Sequence, residues 1–124
     1  MSRTRGTQNI ARLLPLSPRD FHILFALADG ERHGYGLVKV IERQTDGLIR
    51  LDPANLYRAI QRMVADGLVE DAERKPVPGS ADERRRYYRI TGLGRDVVGA
   101  EAGRMRSLAE AAEAKQLIPK VENR

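Results

Sequence analysis

The chain has 124 residues and carries 22 Lys and Arg against 17 Asp and Glu, a net charge of +5. This length suits one small basic domain and leaves no room for two ordinary hydrophobic cores. Hydrophobic residues at 41% and charged residues at 31% exclude a disordered chain, and the absence of Cys excludes disulfide frameworks, thiolate metal sites and thiol nucleophiles. Aromatics make up only 5% and Trp is absent, so the core is expected to be aliphatic, which favours packed helices over a β-sandwich. No window approaches the ~20 apolar residues of a membrane span, and Met1 to Arg12 lacks the apolar segment of a signal peptide. A soluble cytoplasmic protein with no membrane partner is therefore expected.

Residues 1–15 read as a basic arm. Arg3, Arg5 and Arg12 precede any acid, and Ile10, Leu13 and Leu14 have the spacing of a short amphipathic turn that Pro15 ends. A first helix opens at Ser17-Pro18-Arg19-Asp20, where Ser17 can cap and Pro18 fits the first helical position. Phe21, Leu24, Phe25 and Ala28 supply its expected buried face, and Asp29-Gly30 ends it. His33-Gly34-Tyr35-Gly36 leads into a second helix carrying Leu37, Val38 and Ile41 and running to Thr45-Asp46-Gly47. Leu48 to Leu51, bounded by Gly47 and Pro53, reads as a brief strand or an extended bridge. Asp52-Pro53 repeats the cap-then-proline signature for a third helix, with Leu56, Ile60, Met63 and Val64 inward and Asp66-Gly67 at its end.

Leu68-Val69-Glu70 and Arg86-Tyr87-Tyr88-Arg89-Ile90 are strand candidates, joined by a polar stretch with Pro76, Pro78 and Gly79, which predicts a hairpin with a long, mobile tip. Tyr87 and Tyr88 alternate along the strand, so one of the pair is expected to face out. Thr91 then caps a long Ala-, Glu- and Arg-rich helix with no Pro before Pro119. The fold class is thus mainly α with a small β-hairpin. The order of its elements is that of a winged helix-turn-helix at 16–91, followed by a C-terminal helix at 92–118 and a tail at 119–124.

In that architecture the third helix enters the DNA major groove and the hairpin rests on the flanking backbone. With the apolar side turned to the core, Ala54, Asn55, Tyr57, Arg58 and Gln61 project outward near the helix start. Asn55 and Gln61 can each pair bidentately with adenine, and Arg58 with guanine or a phosphate. Arg84, Arg85 and Arg86 cluster at the end of the hairpin loop, opposite Arg74 and Lys75, and can neutralise phosphates, although Asp82 and Glu83 next to them oppose this. The plain alternative for both groups is a solvated helix face and a solvated charged loop. For Tyr57 and Tyr88 the alternative to a DNA contact is core packing with the hydroxyl bonded to backbone.

Four motifs in order carry a resemblance. They are His33-Gly34-Tyr35-Gly36, Asn55 through Met63, Asp66-Gly67-Leu68-Val69, and Arg86-Tyr87-Tyr88-Arg89-Ile90-Thr91-Gly92-Leu93-Gly94-Arg95. Over roughly Leu16 to Arg95 the chain resembles the PadR family of bacterial transcriptional regulators, in its shorter branch with a single C-terminal helix. The resemblance implies a homodimeric winged-helix protein that binds double-stranded DNA, commonly a repressor, with the last helix building the dimer. It also implies that Tyr35 lies near the DNA backbone, that Asn55, Tyr57 and Arg58 belong to the recognition helix, and that Arg86, Tyr87 and Tyr88 belong to the wing. Some relatives stack flat drugs on a tryptophan between subunits; this chain lacks Trp, and any small-molecule effector is unassigned.

Spacing along the last helix fits a paired seam: Val98, Ala102, Met105, Ala109 and Ala112 follow steps of four, three, four and three, with Val97 and Leu108 beside them. Alanine-rich helices bury little area, so Ile10, Leu13 and Leu14 of the arm are expected to add to the dimer contact. Catalysis is not expected. His22 and His33 with scattered carboxylates are the only candidates, and no HExxH, GxSxG or phosphate loop appears. No cofactor or metal is implied. The competing reading is a winged helix used for protein interaction or RNA binding without operator recognition, because a fold does not settle a function.

Overall fold

The first helix, α1 (Pro18–Leu27), starts where the Ser17 hydroxyl accepts the Asp20 amide at 3.1 Å, with Pro18 in the first turn. A computed structural model describes this helix and the rest of residues 10–72 and 86–122, including a helical turn at 10–13. The arc that α1 buries differs from the expected stripe: Ile23, Ala26 and Leu27 go inward with Phe21 and Leu24, whereas Phe25 is 46% exposed and Ala28 half-buried. The cause is tertiary, since α1 is enclosed by the second helix, the last helix and the central strand together.

Next come β1 (Arg32–His33) and α2 (Gly34–Gln44), which buries Leu37, Val40 and Ile41. The segment 48–51 is an extended bridge and forms no strand; the Thr45 hydroxyl holds it by accepting the Ile49 amide at 3.0 Å. The strand is found instead at β1, two residues too short to announce itself in the sequence. Helix α3 (Pro53–Ala65) is capped by Asp52 and buries Leu56, Ala59, Ile60 and Met63. It ends in a Schellman turn, with Leu68 N–H bonded to Met63 O at 2.9 Å and Gly67 at φ 79°.

Strands β2 (Val69–Ala72) and β3 (Tyr87–Ile90) pair antiparallel with Val69 opposite Ile90. β1 adds to the other edge of β3, with Arg32 opposite Tyr88, so the expected hairpin is a three-stranded sheet in the order β1-β3-β2. β3 is therefore central, and Tyr87 and Tyr88 are both buried rather than one facing out. Tyr88 enters the main core, and Tyr87 is covered by the His33 ring, edge-on at 5.3 Å.

Helix α4 (Gly92–Ala114) begins at a dense junction. The Thr91 hydroxyl accepts the Gly94 amide at 3.0 Å and donates to Gly67 O at 2.6 Å, while Thr91 N–H bonds Leu68 O at 3.0 Å. A Cβ on Gly94 would lie 2.2 Å from Leu68 O, so only glycine lets the helix approach the strand this closely. Val97 and Val98 fill the chain's own core. The helix expected to reach 118 stops at Ala114, because Gln116 takes φ 63° and the Leu117 amide closes the turn onto Ala112 O.

Glu101 is fully buried on α4. It accepts the Leu16 amide at 2.8 Å and the Arg104 Nε at 2.5 Å, which ties the end of the N-terminal arm to the last helix. The Arg104 hydrogen bond is the main force holding its carboxyl below the ordinary carboxylate range; burial opposes this, and the Leu16 amide and the Arg104 charge add to it.

Two stability predictions follow from these contacts. Gly94→Ala should cost about 1–3 kcal/mol by overpacking, read as a lower urea midpoint at unchanged slope. Glu101→Gln should cost about 1–3 kcal/mol at pH 7, since a buried amide loses a charge-assisted partner. A carboxyl pKa depressed by folding stabilises above the unfolded value of about 4.3 and stops doing so as pH falls through the folded value. The gap between wild type and variant should therefore close progressively on acidification below about pH 5; a constant gap would show that the carboxylate charge contributes nothing.

Candidate nucleic-acid interface

Burying Leu56, Ala59, Ile60 and Met63 forces the opposite side of α3 outward, and Ala54, Asn55, Tyr57, Arg58 and Gln61 are all exposed on it. Tyr57 is 53% exposed, so the core-packing alternative is not what the fold adopts for it, whereas Tyr88, 3% exposed, is a core residue. Burial pushes the Tyr88 phenol above its ordinary value, the nearby Arg86 charge pulling the other way. Side chains at the start of α3 are bonded to one another: Asn55 Nδ2 donates to Asp52 Oδ2 at 2.5 Å, and Arg58 Nη2 donates to Asn55 Oδ1.

Tyr35 stands beside this face from the first turn of α2. The His33 side chain sets its position, because Nδ1 accepts the Gly36 amide at 3.0 Å and caps the helix. Tyr35 is 60% exposed, with the Lys39 ammonium 5.4 Å from its ring centroid. Sequence reading passed over Lys39, although its spacing of four residues from Tyr35 on a helix was the available signal. Arg86 is exposed where β3 begins. Tyr35, Tyr57 and Arg86 line one cleft of about 540 Å³ whose floor is Val38, Leu56 and Ile60, so residues from three elements meet at one place. Arg84 and Arg85, with Arg74, Lys75, Asp82 and Glu83, lie outside the described residues. Arg89 is engaged elsewhere, bonded to Glu70 at 2.8 Å and near Glu31 at 3.6 Å.

Of the second expected surface, Ile10, Leu13 and Leu14 are half-buried against the chain's own core, and Val98 is 7% exposed within it. The physical reason is that the first two turns of α4 still lie over the domain. Beyond them Ala102, Met105 and Leu108 are exposed, Ala109 and Ala112 half-buried, and Leu117, Ile118 and Val121 continue the apolar surface past the helix. His22 lies edge-on to the stacked rings of Phe21 and Phe25, and among the described residues no His, Asp and Glu side chains converge as a metal set. No helix of the described residues is long and apolar enough to cross a membrane.

A third helix with an exposed polar face, set beside a small antiparallel sheet, defines a winged helix-turn-helix protein. Residues 23–100 match the transcriptional regulator PadR-like family, and the chain belongs to that family. It is similar to the transcriptional regulator Rv3488 of Mycobacterium tuberculosis, 36% identical over 88 residues that make up 71% of this chain and 76% of that protein. It is also 39% identical over 87 residues, 70% of its length, to a 37.1 kDa protein of transposon Tn4556 from Streptomyces fradiae, of which it spans 23%. The fold is shared with Bacillus subtilis PadR, solved in complex with operator DNA, at a TM-score of 0.58 and 15% identity over 69% of this chain and 47% of that one. Family and fold are those of transcription regulators, not of enzymes.

Proposed function

We propose that this chain is a sequence-specific DNA-binding repressor that acts in the cytoplasm as a homodimer on an inverted-repeat operator. The observation that carries the reading is the outward placement of Asn55, Arg58 and Gln61 on α3, with Tyr57 of the same face meeting Tyr35 and Arg86 around one cleft. Residues 16–91 act as the reader, α3 entering the major groove while Tyr35, Lys39 and Arg86 engage the backbone and Arg84 and Arg85 extend the wing contact. The apolar stripe of exposed Ala102, Met105 and Leu108 with half-buried Ala109 and Ala112, and exposed Leu117 and Ile118 after the helix, support pairing with a second copy. A twofold dimer presents two equivalent third helices, so half-sites fall about one or two helical turns apart.

The direct test is a gel shift with the DNA upstream of the protein's own gene against excess random duplex, followed by footprinting. Two related protected half-sites are expected, and protection of a single asymmetric site at saturation would contradict the dimer. Arg58→Ala should weaken operator binding by about 1–3 kcal/mol while barely changing binding to random DNA. Arg86→Ala should weaken both alike and make the salt dependence shallower by about one unit, because a phosphate contact carries no base information.

Met105→Asp places a carboxylate in the proposed seam, where leaving it buried and unpaired costs several kcal/mol. Sedimentation equilibrium should show dimers for wild type and monomers for the variant at micromolar concentration, with the helical signal retained. A monomeric wild type would remove the dimer from the proposal.

A further inference from the structure

Three side chains at the start of α3 are joined before any DNA is present. Asp52 Oδ1 accepts the Asn55 backbone amide at 3.0 Å as the helix cap, and its Oδ2 accepts Asn55 Nδ2 at 2.5 Å. Asn55 Oδ1 in turn accepts from Arg58 Nη2. Steps of three residues place the trio along one edge of the first turns, and all three are exposed. Both ends of the Asn55 amide are thus engaged within the chain. Reading adenine needs those same two groups, the oxygen for N6 and the NH2 for N7. Arg58 keeps more capacity: it spends one of five N–H donors on Asn55 and has four left for N7 and O6 of guanine. The Asn55 amide keeps one N–H and one lone pair and is fixed in orientation by its two partners.

We propose that Arg58 is the base-selecting residue, taking guanine, and that Asn55 and Asp52 are positioning residues that aim its guanidinium. The inference rests on the DNA-binding reading and deepens it. A free arginine side chain loses much rotamer freedom on docking, and one already held by its neighbours loses less. The carboxylate accepts from the amide while the guanidinium donates to it, so the charges at the two ends polarise the amide in the same sense and strengthen both bonds. The negative charge of Asp52, which would repel a phosphate if left alone, is balanced through this relay by Arg58.

The test uses the full chain and an operator selected from random duplexes, with every base pair of one half-site then varied singly. Wild type is expected to prefer guanine at one pair by tenfold or more. Arg58→Ala should abolish that preference, and Asn55→Ala should reduce it at the same pair while leaving every A·T preference intact. The double variant should match Arg58→Ala, as expected for residues acting through one contact. Asp52→Asn keeps an oxygen for the cap but turns an NH2 toward the Asn55 NH2, so it should lose part of the guanine preference while melting like wild type. Melting curves followed by circular dichroism verify folding of every variant.

An adenine preference erased by Asn55→Ala, or multiplicative effects in the double variant, would overturn the relay while leaving DNA binding in place. A guanine preference untouched by Asn55→Ala and Asp52→Asn would do the same. Selection that returns no preferred sequence for wild type would overturn the DNA-binding reading and the relay with it.

Discussion

Everything in this domain hangs on the close approach of the α4 start to the Leu68 carbonyl. Thr91 bonds at once to the turn that ends α3, to the first residue of the wing and to the first turn of α4, so three elements share one anchor. The missing side chain of Gly94 makes that anchor possible, because a single added carbon would meet backbone that cannot move aside. The junction also fixes the direction in which α4 leaves the domain, and with it where the open apolar stripe lies.

That direction divides α4 into two parts with different physical roles. Its first turns bury Val97, Val98 and Glu101 and close the core, while its later turns leave Met105 39% and Leu108 56% exposed. Glu101 belongs to the first part although it is charged, and its cost of burial is offset by Arg104 and by the Leu16 amide, the latter tying the segment before α1 to the last helix. In the proposed dimer the open apolar surface is then that of the outer turns of α4, with the arm half-buried against its own chain.

The proposed DNA-facing surface shows comparable economy. His33 caps α2, packs on Tyr87 and stands beside Tyr35, so a single ring links the sheet to the helix that bears an exposed tyrosine. Asp52 caps α3 and also bonds the Asn55 side chain, so the residue that starts the helix holds its first polar outward side chain. In both helices the capping group is the support for the surface residue two or three positions later. Local backbone requirements and the placement of the proposed contact residues are therefore met by the same side chains.

Sequence alone determined the helix starts, three of their four caps and the outward face of α3, because these depend on neighbours within one or two turns: Ser17, Asp52 and Thr91 each cap the helix they precede, while the His33 cap of α2 was legible only in the structure. The family resemblance was legible for the same reason, its motifs lying at helix starts and strand ends. Only the tertiary structure decided what depends on distant contacts. The arc of α1 that is buried, the two-residue strand Arg32–His33, the burial of both Tyr87 and Tyr88, and the packing of Val98 into the core all follow from elements far apart in the chain. Periodicity shows that a residue seeks cover, but not which of two surfaces supplies it, since one apolar stripe serves a chain's own core and a partner equally well.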